Sequence, residues 1–89
     1  MSVEIYTKDY CPFCHRAKAL LDAKRVPYLE HDVTHDAAGA AEMRARSGGF
    51  TVPQVFVDGT PIGGSDDLAA LAQSGELDTL LGRSAAVAS

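Results

Sequence analysis

Two cysteines separated by two residues, Cys11 and Cys14, have the type and spacing of a site that does chemistry. A C-x-x-C pair can be a structural disulfide, a pair of zinc ligands, a redox pair, or two small buried side chains. A disulfide between them would close a very short loop, so its gain as a permanent cross-link is small. The pair is therefore more typical of metal binding or redox chemistry.

Two histidines, His31 and His35, extend the pattern to C-x2-C-x16-H-x3-H. The spacer between cysteines and histidines is longer than the usual range of about 12–15 residues. The cysteines also begin a predicted helix and His31 lies in a predicted strand, the reverse of the zinc-finger arrangement. We therefore expect no bound metal, and we expect both histidines at solvated or edge positions.

The redox interpretation has a physical mechanism, because the attacking species in disulfide exchange is a thiolate. At a helix N-terminus the first N–H groups have no intrahelical partner and the dipole is positive, which favours a thiolate on Cys11. Lys8 adds positive charge three residues earlier. Cys14 lies one turn further in and is expected to stay a thiol. Cys11 is thus the predicted nucleophile, and Cys14 resolves the mixed disulfide.

A predicted β-α-β unit positions the cysteine pair. Residues 3–7 and 26–34 alternate apolar and polar side chains like strands, and residues 11–25 have the spacing of a helix. Pro12 suits the first helical turn, where its missing N–H costs nothing. The two strands should be parallel. A C-x-x-C at the start of the helix in such a unit is typical of a thioredoxin-like redox site.

A second helix and a β-hairpin follow. Residues 36–47 are alanine-rich and helical, with Asp36 as the expected N-cap, although Gly39 is a poor helix former. The Asp58-Gly59 pair lies between β-prone runs and predicts a hairpin turn.

The chain ends in short helical segments. Ser65 is the expected N-cap of a helix over residues 65–75, and residues 76–81 add a last helical stretch. The order β-α-β-α-β-β-α predicts an α/β, thioredoxin-like fold with a four-stranded mixed sheet flanked by helices on both faces.

Composition limits the other functions that the chain could have. Its 89 residues suggest one domain, predicted over 1–82, with a flexible tail over 83–89. The net charge of -4 argues against nucleic acid as a partner. No stretch approaches the roughly 20 apolar residues of a membrane helix, and the N-terminus does not have the pattern of a secretory signal. We therefore expect a cytoplasmic protein.

Three stretches in the same order resemble the glutaredoxin family: CPFC at residues 11–14, TVPQVFVDG at 51–59 and GGSDDL at 63–68. The resemblance covers residues 3–81. It implies a glutathione-dependent thiol–disulfide oxidoreductase that reduces protein disulfides and protein–glutathione mixed disulfides. It implies glutathione as reducing co-substrate, disulfide-bonded or glutathionylated proteins as partners, ribonucleotide reductase as one possible partner, and a monomer.

The resemblance also implies a glutathione site near Cys11. Val52, before a cis Pro53, would pair its backbone with the peptide, and the start of the last main helix would hold the γ-glutamyl carboxylate. The implied glutathione-binding residues are Lys8, Phe13, Thr51, Val52, Pro53, Gly64, Ser65 and Asp66.

Some positions depart from the family pattern. Ala40 stands where relatives often carry Gln or Arg, and Gly49-Phe50 replaces a stretch that commonly contains Arg. Arg44 or Arg46 could substitute as cations, although we expect both to be solvated helix charges. Two alternatives stay open: a thioredoxin-reductase-dependent redoxin, and a [2Fe–2S] cluster carrier, which Pro12 disfavours.

Overall fold

The computed structural model describes residues 2–82, so the predicted tail over 83–89 lies outside the described residues. The elements follow the predicted order, and the helical stretch expected over 76–81 forms a short last helix. They are β1 (Val3–Thr7), α1 (Pro12–Ala23), β2 (Leu29–Asp32), α2 (Ala37–Ser47), β3 (Gln54–Val57), β4 (Thr60–Gly63), α3 (Ser65–Ser74) and α4 (Glu76–Leu80).

The four strands form one mixed sheet in the order β2-β1-β3-β4. β1 is parallel to β2, as the β-α-β unit predicts, and antiparallel to β3, which in turn pairs with β4. The second strand is shorter than the predicted span of 26–34. It lies at the edge of the sheet, and among residues 2–82 it pairs with β1 alone, which ends where Thr7 faces Asp32.

Helices cover both faces of the sheet, as expected. On one face, residues of β1 and β3 such as Ile5 and Val55 pack with Leu21 of α1 and Leu68 of α3. The opposite face is smaller and includes Met43 of α2. Strand alternation divides neighbouring side chains between the two faces, and this burial of apolar area is the main stabilisation of the fold.

Local signals set the boundaries of α2 and the hairpin turn. The Asp36 side chain accepts a hydrogen bond from the backbone N–H of Gly39 at 2.9 Å, which makes it the predicted N-cap of α2. Gly48 ends this helix in the left-handed region, with φ of 74°. Asp58 and Gly59 both have positive φ, at 50° and 82°, as a tight hairpin turn requires.

The start of α3 differs from the prediction. Ser65 is the first helical residue, and the N-cap is Gly64. The carboxylate of Asp67 accepts a hydrogen bond from the Gly64 N–H at 3.0 Å, so the capping group comes from within the helix. Within residues 2–82, the helices are all too short or too polar to cross a membrane.

Candidate active site

Cys11 occupies the N-cap position of α1. Its backbone is extended, and its Sγ accepts a hydrogen bond from the backbone N–H of Cys14 at 3.2 Å. The same sulfur donates to the carbonyl oxygen of Val52 at 3.7 Å. Pro12 follows at the first helical position, so the chain turns into the helix directly behind the sulfur. The sulfur therefore lies at the positive end of the helix dipole, where a negative charge is stabilised.

Cys14 is fully buried, with 0% of its surface exposed. Burial, followed by its hydrogen bond with Cys11, raises the pKa of Cys14 to about 12. This agrees with the expectation that Cys14 is a thiol at neutral pH. Both cysteines are free in the structure. Cys11 is also buried, with 8% of its surface exposed, but it caps the end of a helix, whereas Cys14 is enclosed within the core.

The loop before β3 meets the sulfur of Cys11. The Val52–Pro53 peptide bond is cis, as predicted. Pro53 directly precedes β3, which begins at Gln54. A proline directly before a strand removes no ladder hydrogen bond, which is why this position tolerates it.

A groove of about 450 Å³ lies between this loop and the start of α3. Seven of the eight residues expected around glutathione line it, and the eighth, Lys8, does not. Lys8 lies instead on the Cys11 side, where its carbonyl accepts a hydrogen bond from the Cys11 N–H at 3.3 Å. The lining residues are Phe13, Thr51, Val52, Pro53, Gln54, Gly63, Gly64, Ser65, Asp66 and Asp67.

Gln54 also lines this groove, although the motifs in the sequence did not predict a role for it there. Its buried amide donates to the Thr51 carbonyl at 3.0 Å and approaches the Thr51 hydroxyl at 3.4 Å, so it fixes the loop that carries Val52. A buried polar residue at the start of an apolar strand is the signal that could have indicated this role. Asp67 also lines the groove, and its carboxylate accepts the hydrogen bond from the Gly64 N–H there.

Arg46 is not the solvated helix charge that the sequence analysis expected. Its guanidinium donates to both carboxylate oxygens of Glu4, at 3.1 and 2.8 Å, and to the hydroxyl of Tyr6 at 2.8 Å. It also lies over the ring of Phe56, 4.2 Å from the centroid. Hydrogen bonds from Arg46, and then from His31, lower the pKa of Glu4 to about 2. The Arg46 side chain therefore contacts β1 on the face of the sheet that α2 covers. Arg44, on the same helix, is exposed.

The two histidines are not arranged as in a zinc finger. His31 lies in the edge strand as expected, but its Nε2 is 3.0 Å from a Glu4 oxygen and its ring contacts Tyr6. His35 is exposed. Within residues 2–82, no three His, Cys, Asp or Glu side chains converge on a point where they could hold a metal ion.

Comparison with known proteins shows the family of this chain. A family model described as glutaredoxin matches residues 3–62. Glutaredoxin 3 of Escherichia coli K12 is 56% identical over 80 residues, which cover 90% of this chain and 96% of that relative. The chain belongs to the glutaredoxin family.

Solved glutaredoxins share the fold. The solution structure of a glutaredoxin from Brucella melitensis matches with a TM-score of 0.80 at 47% identity, covering 91% of this chain and 88% of that one. The crystal structure of a buckwheat glutaredoxin–glutathione complex matches with a TM-score of 0.82 at 30% identity, covering 90% and 76%. This glutaredoxin is thus a thiol–disulfide oxidoreductase of thioredoxin-like fold with a C-x-x-C pair at the start of α1.

Proposed function

We infer that this glutaredoxin uses glutathione to reduce protein disulfides and protein–glutathione mixed disulfides, with Cys11 as nucleophile and Cys14 as resolving thiol. The observation that carries the proposal is the groove beside Cys11. The groove extends from the loop of Val52 and Pro53 to the N-terminus of α3, and its volume suits a small peptide. That a buckwheat relative was solved as a glutathione complex supports the same ligand here.

Each end of glutathione has a complementary partner. The backbone of Val52 pairs with the extended peptide beside Cys11. The first N–H groups of α3, at Ser65 and Asp66, bind the γ-glutamyl carboxylate at the positive end of the helix. The Asp66 carboxylate attracts the γ-glutamyl ammonium, and Gly64 lets the peptide approach closely. Lys8 supplies a cation for the glycyl carboxylate.

The reaction proceeds by successive thiol–disulfide exchanges. The Cys11 thiolate attacks a substrate disulfide and forms a mixed disulfide, while the released sulfur takes up a proton. Cys14 then loses its proton and attacks the Cys11 sulfur, which releases the second substrate thiol and leaves a Cys11–Cys14 disulfide. One glutathione thiolate opens this disulfide and becomes bound to Cys11. A second one removes it as oxidised glutathione and restores the dithiol.

With a glutathionylated protein, Cys11 takes the glutathionyl group directly and a single glutathione regenerates the enzyme. Cys14 is not required for this route. We propose cytoplasmic action, where thiols are kept reduced, as a monomer. Ribonucleotide reductase is one disulfide-bonded protein that such an enzyme could serve.

The test is regeneration of the oxidised protein by glutathione, coupled to glutathione reductase and followed as NADPH consumption. We expect sustained turnover that requires glutathione. Turnover with thioredoxin reductase in the absence of glutathione would instead identify a redoxin of the other type. Visible absorbance of the purified protein would indicate a cluster carrier and contradict the proposal.

A further inference from the structure

Three polar side chains form a hydrogen-bonded cluster that links α1 to the sheet and that the proposed reaction does not use. The Lys18 ammonium donates to Glu30 Oε2 at 3.0 Å, and the Thr7 hydroxyl donates to the same oxygen at 2.6 Å. Thr7 is buried at the end of β1, with 1% of its surface exposed. Glu30 lies on β2, so the cluster joins all three elements of the β-α-β unit.

The pleat of the sheet places Thr7 and Glu30 on the face that α1 covers. Ile5 lies opposite Glu30 in the register of β1 and β2, and it packs with Leu21 of α1 in the core. Thr7 follows Ile5 by two residues, so its side chain points to the same face. The cluster is therefore between the sheet and the helix that carries both cysteines.

Lys18 lies one helical turn after Cys14 on the same side of α1. Residues four apart on a helix are neighbours, with Cβ atoms about 5–6 Å apart, and long helical side chains lean toward the N-terminus of the helix. The Lys18 side chain thus leads back toward Cys14, which is fully buried. It is itself only 23% exposed, so water screens its charge less than that of a free surface lysine.

Two groups oppose the effect of burial on Cys14. Burial, followed by the hydrogen bond with Cys11, raises the pKa of Cys14 to about 12. A hydrogen bond from the Lys8 backbone and the positive charge of Lys18 act in the opposite direction and lower this pKa. Both therefore favour the thiolate that Cys14 must form before it can attack a disulfide.

The cluster offers a fixed positive charge and no proton acceptor. The hydrogen bond to Glu30 raises the pKa of Lys18, so the lysine stays an ammonium at neutral pH. The hydrogen bond from Thr7 lowers the pKa of Glu30, so this carboxylate is a poor base. Lys18 can thus act on Cys14 through its charge, while Glu30 and Thr7 hold it in place.

We propose that Lys18 is a positioning residue for the resolving step, in which its ammonium, anchored by Glu30, stabilises the thiolate of Cys14. The inference rests on the proposed function, since only a mechanism with a resolving thiol requires this thiolate. In the step, the Cys14 sulfur bonds to the Cys11 sulfur and the bond from Cys11 to the substrate sulfur breaks. The substrate sulfur leaves with the electron pair of that bond, and the proton given up by Cys14 ends on the released thiol.

A small aromatic disulfide, dithiobis(nitrobenzoic acid), separates the two exchanges in one stopped-flow experiment. With the protein in excess, attack by Cys11 releases one coloured thiolate, and attack by Cys14 on the mixed disulfide releases the second. The second phase is intramolecular, so its rate is independent of protein concentration, which identifies it.

For Lys18→Gln we expect an unchanged first phase and a second phase slowed about three-fold at neutral pH. Loss of a neighbouring charge raises the pKa of a thiol by about one unit and lowers its thiolate fraction about ten-fold. The more basic thiolate is a better nucleophile, which restores part of the rate. The midpoint of the pH profile of the second phase should move to higher pH.

Two further variants separate charge from structure. Lys18→Arg keeps the positive charge, so it should resolve the mixed disulfide at close to the wild-type rate and with the wild-type pH profile. Arg44→Gln removes an exposed positive charge from α2 and is the matched control, which should leave both phases unchanged.

An unchanged second phase in Lys18→Gln would overturn the inference, as would a Lys18→Arg variant as slow as Lys18→Gln. Equal slowing of both phases would also overturn it, because the substitution would then disturb the site as a whole. A wild-type trace without a second phase would contradict the proposed roles of the cysteines, and the inference with them. The assay contains no glutathione, so its result does not depend on whether glutathione is the reductant.

Discussion

At the scale of single residues, the two cysteines differ in their surroundings. Cys11 ends a loop and caps a helix, whereas Cys14 is enclosed by the core and its pKa is raised to about 12. A thiol with so high a pKa is a poor nucleophile at neutral pH. This difference supports the proposed roles, with Cys11 as the attacking sulfur and Cys14 as the resolving sulfur.

Replacing Cys14 with Ser tests this division of roles. We expect reduction of a protein disulfide to fall on the order of 100-fold or more, because no second thiol resolves the mixed disulfide. Removal of glutathione from a glutathionylated protein should persist at close to the wild-type rate. Cys11→Ser is the matched control and should lose both activities. Loss of both activities in Cys14→Ser would contradict the assignment.

Glu4 makes the stability of the protein depend on pH. Its pKa is lowered from 4.5 to about 2 in the folded protein, chiefly by the hydrogen bond from Arg46. The folded state thus binds fewer protons than the unfolded state between these values, and acid favours unfolding. The stabilisation is fully present above the unfolded pKa of 4.5 and is lost as the pH falls toward 2.

Urea denaturation of the wild type and Glu4→Gln measures this effect. At neutral pH we expect the variant to have a free energy of unfolding lower by about 2 kcal/mol. The difference should shrink steadily as the pH falls below the unfolded pKa. Glu76→Gln, at an exposed position in α4, is the control and should show no such trend. A difference that stays constant with pH would show that Glu4 does not act through its charge.

At the scale of elements, caps show how far local sequence rules extend. The rule that short polar side chains cap helices holds at Asp36 and fails at Ser65, although both residues are good caps. The difference at Ser65 is due to Asp67. Its carboxylate accepts a hydrogen bond from the Gly64 N–H, so the helix begins one residue earlier than predicted. Gly64 and Ser65 are both possible N-caps, and which of them begins the helix depends on the path of the backbone.

Gly39 shows that a residue with poor propensity can be required by its neighbours. A Cβ there would collide with the Asp36 carboxylate and come within 3.0 Å of Val33 Cγ1. Gly39→Ala should therefore fail to give the gain of about 1 kcal/mol that helix propensity predicts, since the cap is displaced.

A double-mutant cycle with Asp36→Ala checks this coupling by urea denaturation. In the Asp36→Ala background the cap is already absent, so Gly39→Ala should be more favourable there by about 1 kcal/mol. The same change in the free energy of unfolding in both backgrounds would rule out competition between the Cβ and the cap.

At the scale of the whole molecule, strand pairing assembles the active site. β1 and β3 are antiparallel, so the end of β1, which leads to Cys11, meets the start of β3, which follows Pro53. β3 and β4 are also antiparallel, so the end of β4, which leads to Gly64 and α3, arrives beside them. Three segments distant in sequence therefore converge at one end of the sheet.

This convergence explains what the sequence could and could not predict. The elements, the cis Val52–Pro53 bond and seven residues of the groove were predictable from local patterns and from the family resemblance. The ion pair between Arg46 and Glu4 was not predictable. It depends on the packing of α2 over β1, and no pattern within either segment indicates it. Predicting contacts between elements requires the order of the strands in the sheet, and local sequence patterns do not give that order.

The converging segments make a prediction for glutathione binding that hydrogen exchange can measure. If glutathione occupies the groove, the amides of Val52, Ser65 and Asp66 become hydrogen-bonded to it, and their exchange slows. α2 packs on the opposite face of the sheet, so its amides should keep their exchange rates. The Cys14→Ser variant suits the experiment, because its mixed disulfide with glutathione cannot be resolved internally.

Amide exchange of this mixed disulfide is compared with that of the same variant in its reduced form. We expect protection confined to the Val52 loop and the first turn of α3. Protection at Val52 alone would mean that the peptide pairs with the loop while the γ-glutamyl carboxylate stays in solvent. Protection spread over α2 as well would mean a general stiffening of the fold, and the groove would then not be the glutathione site.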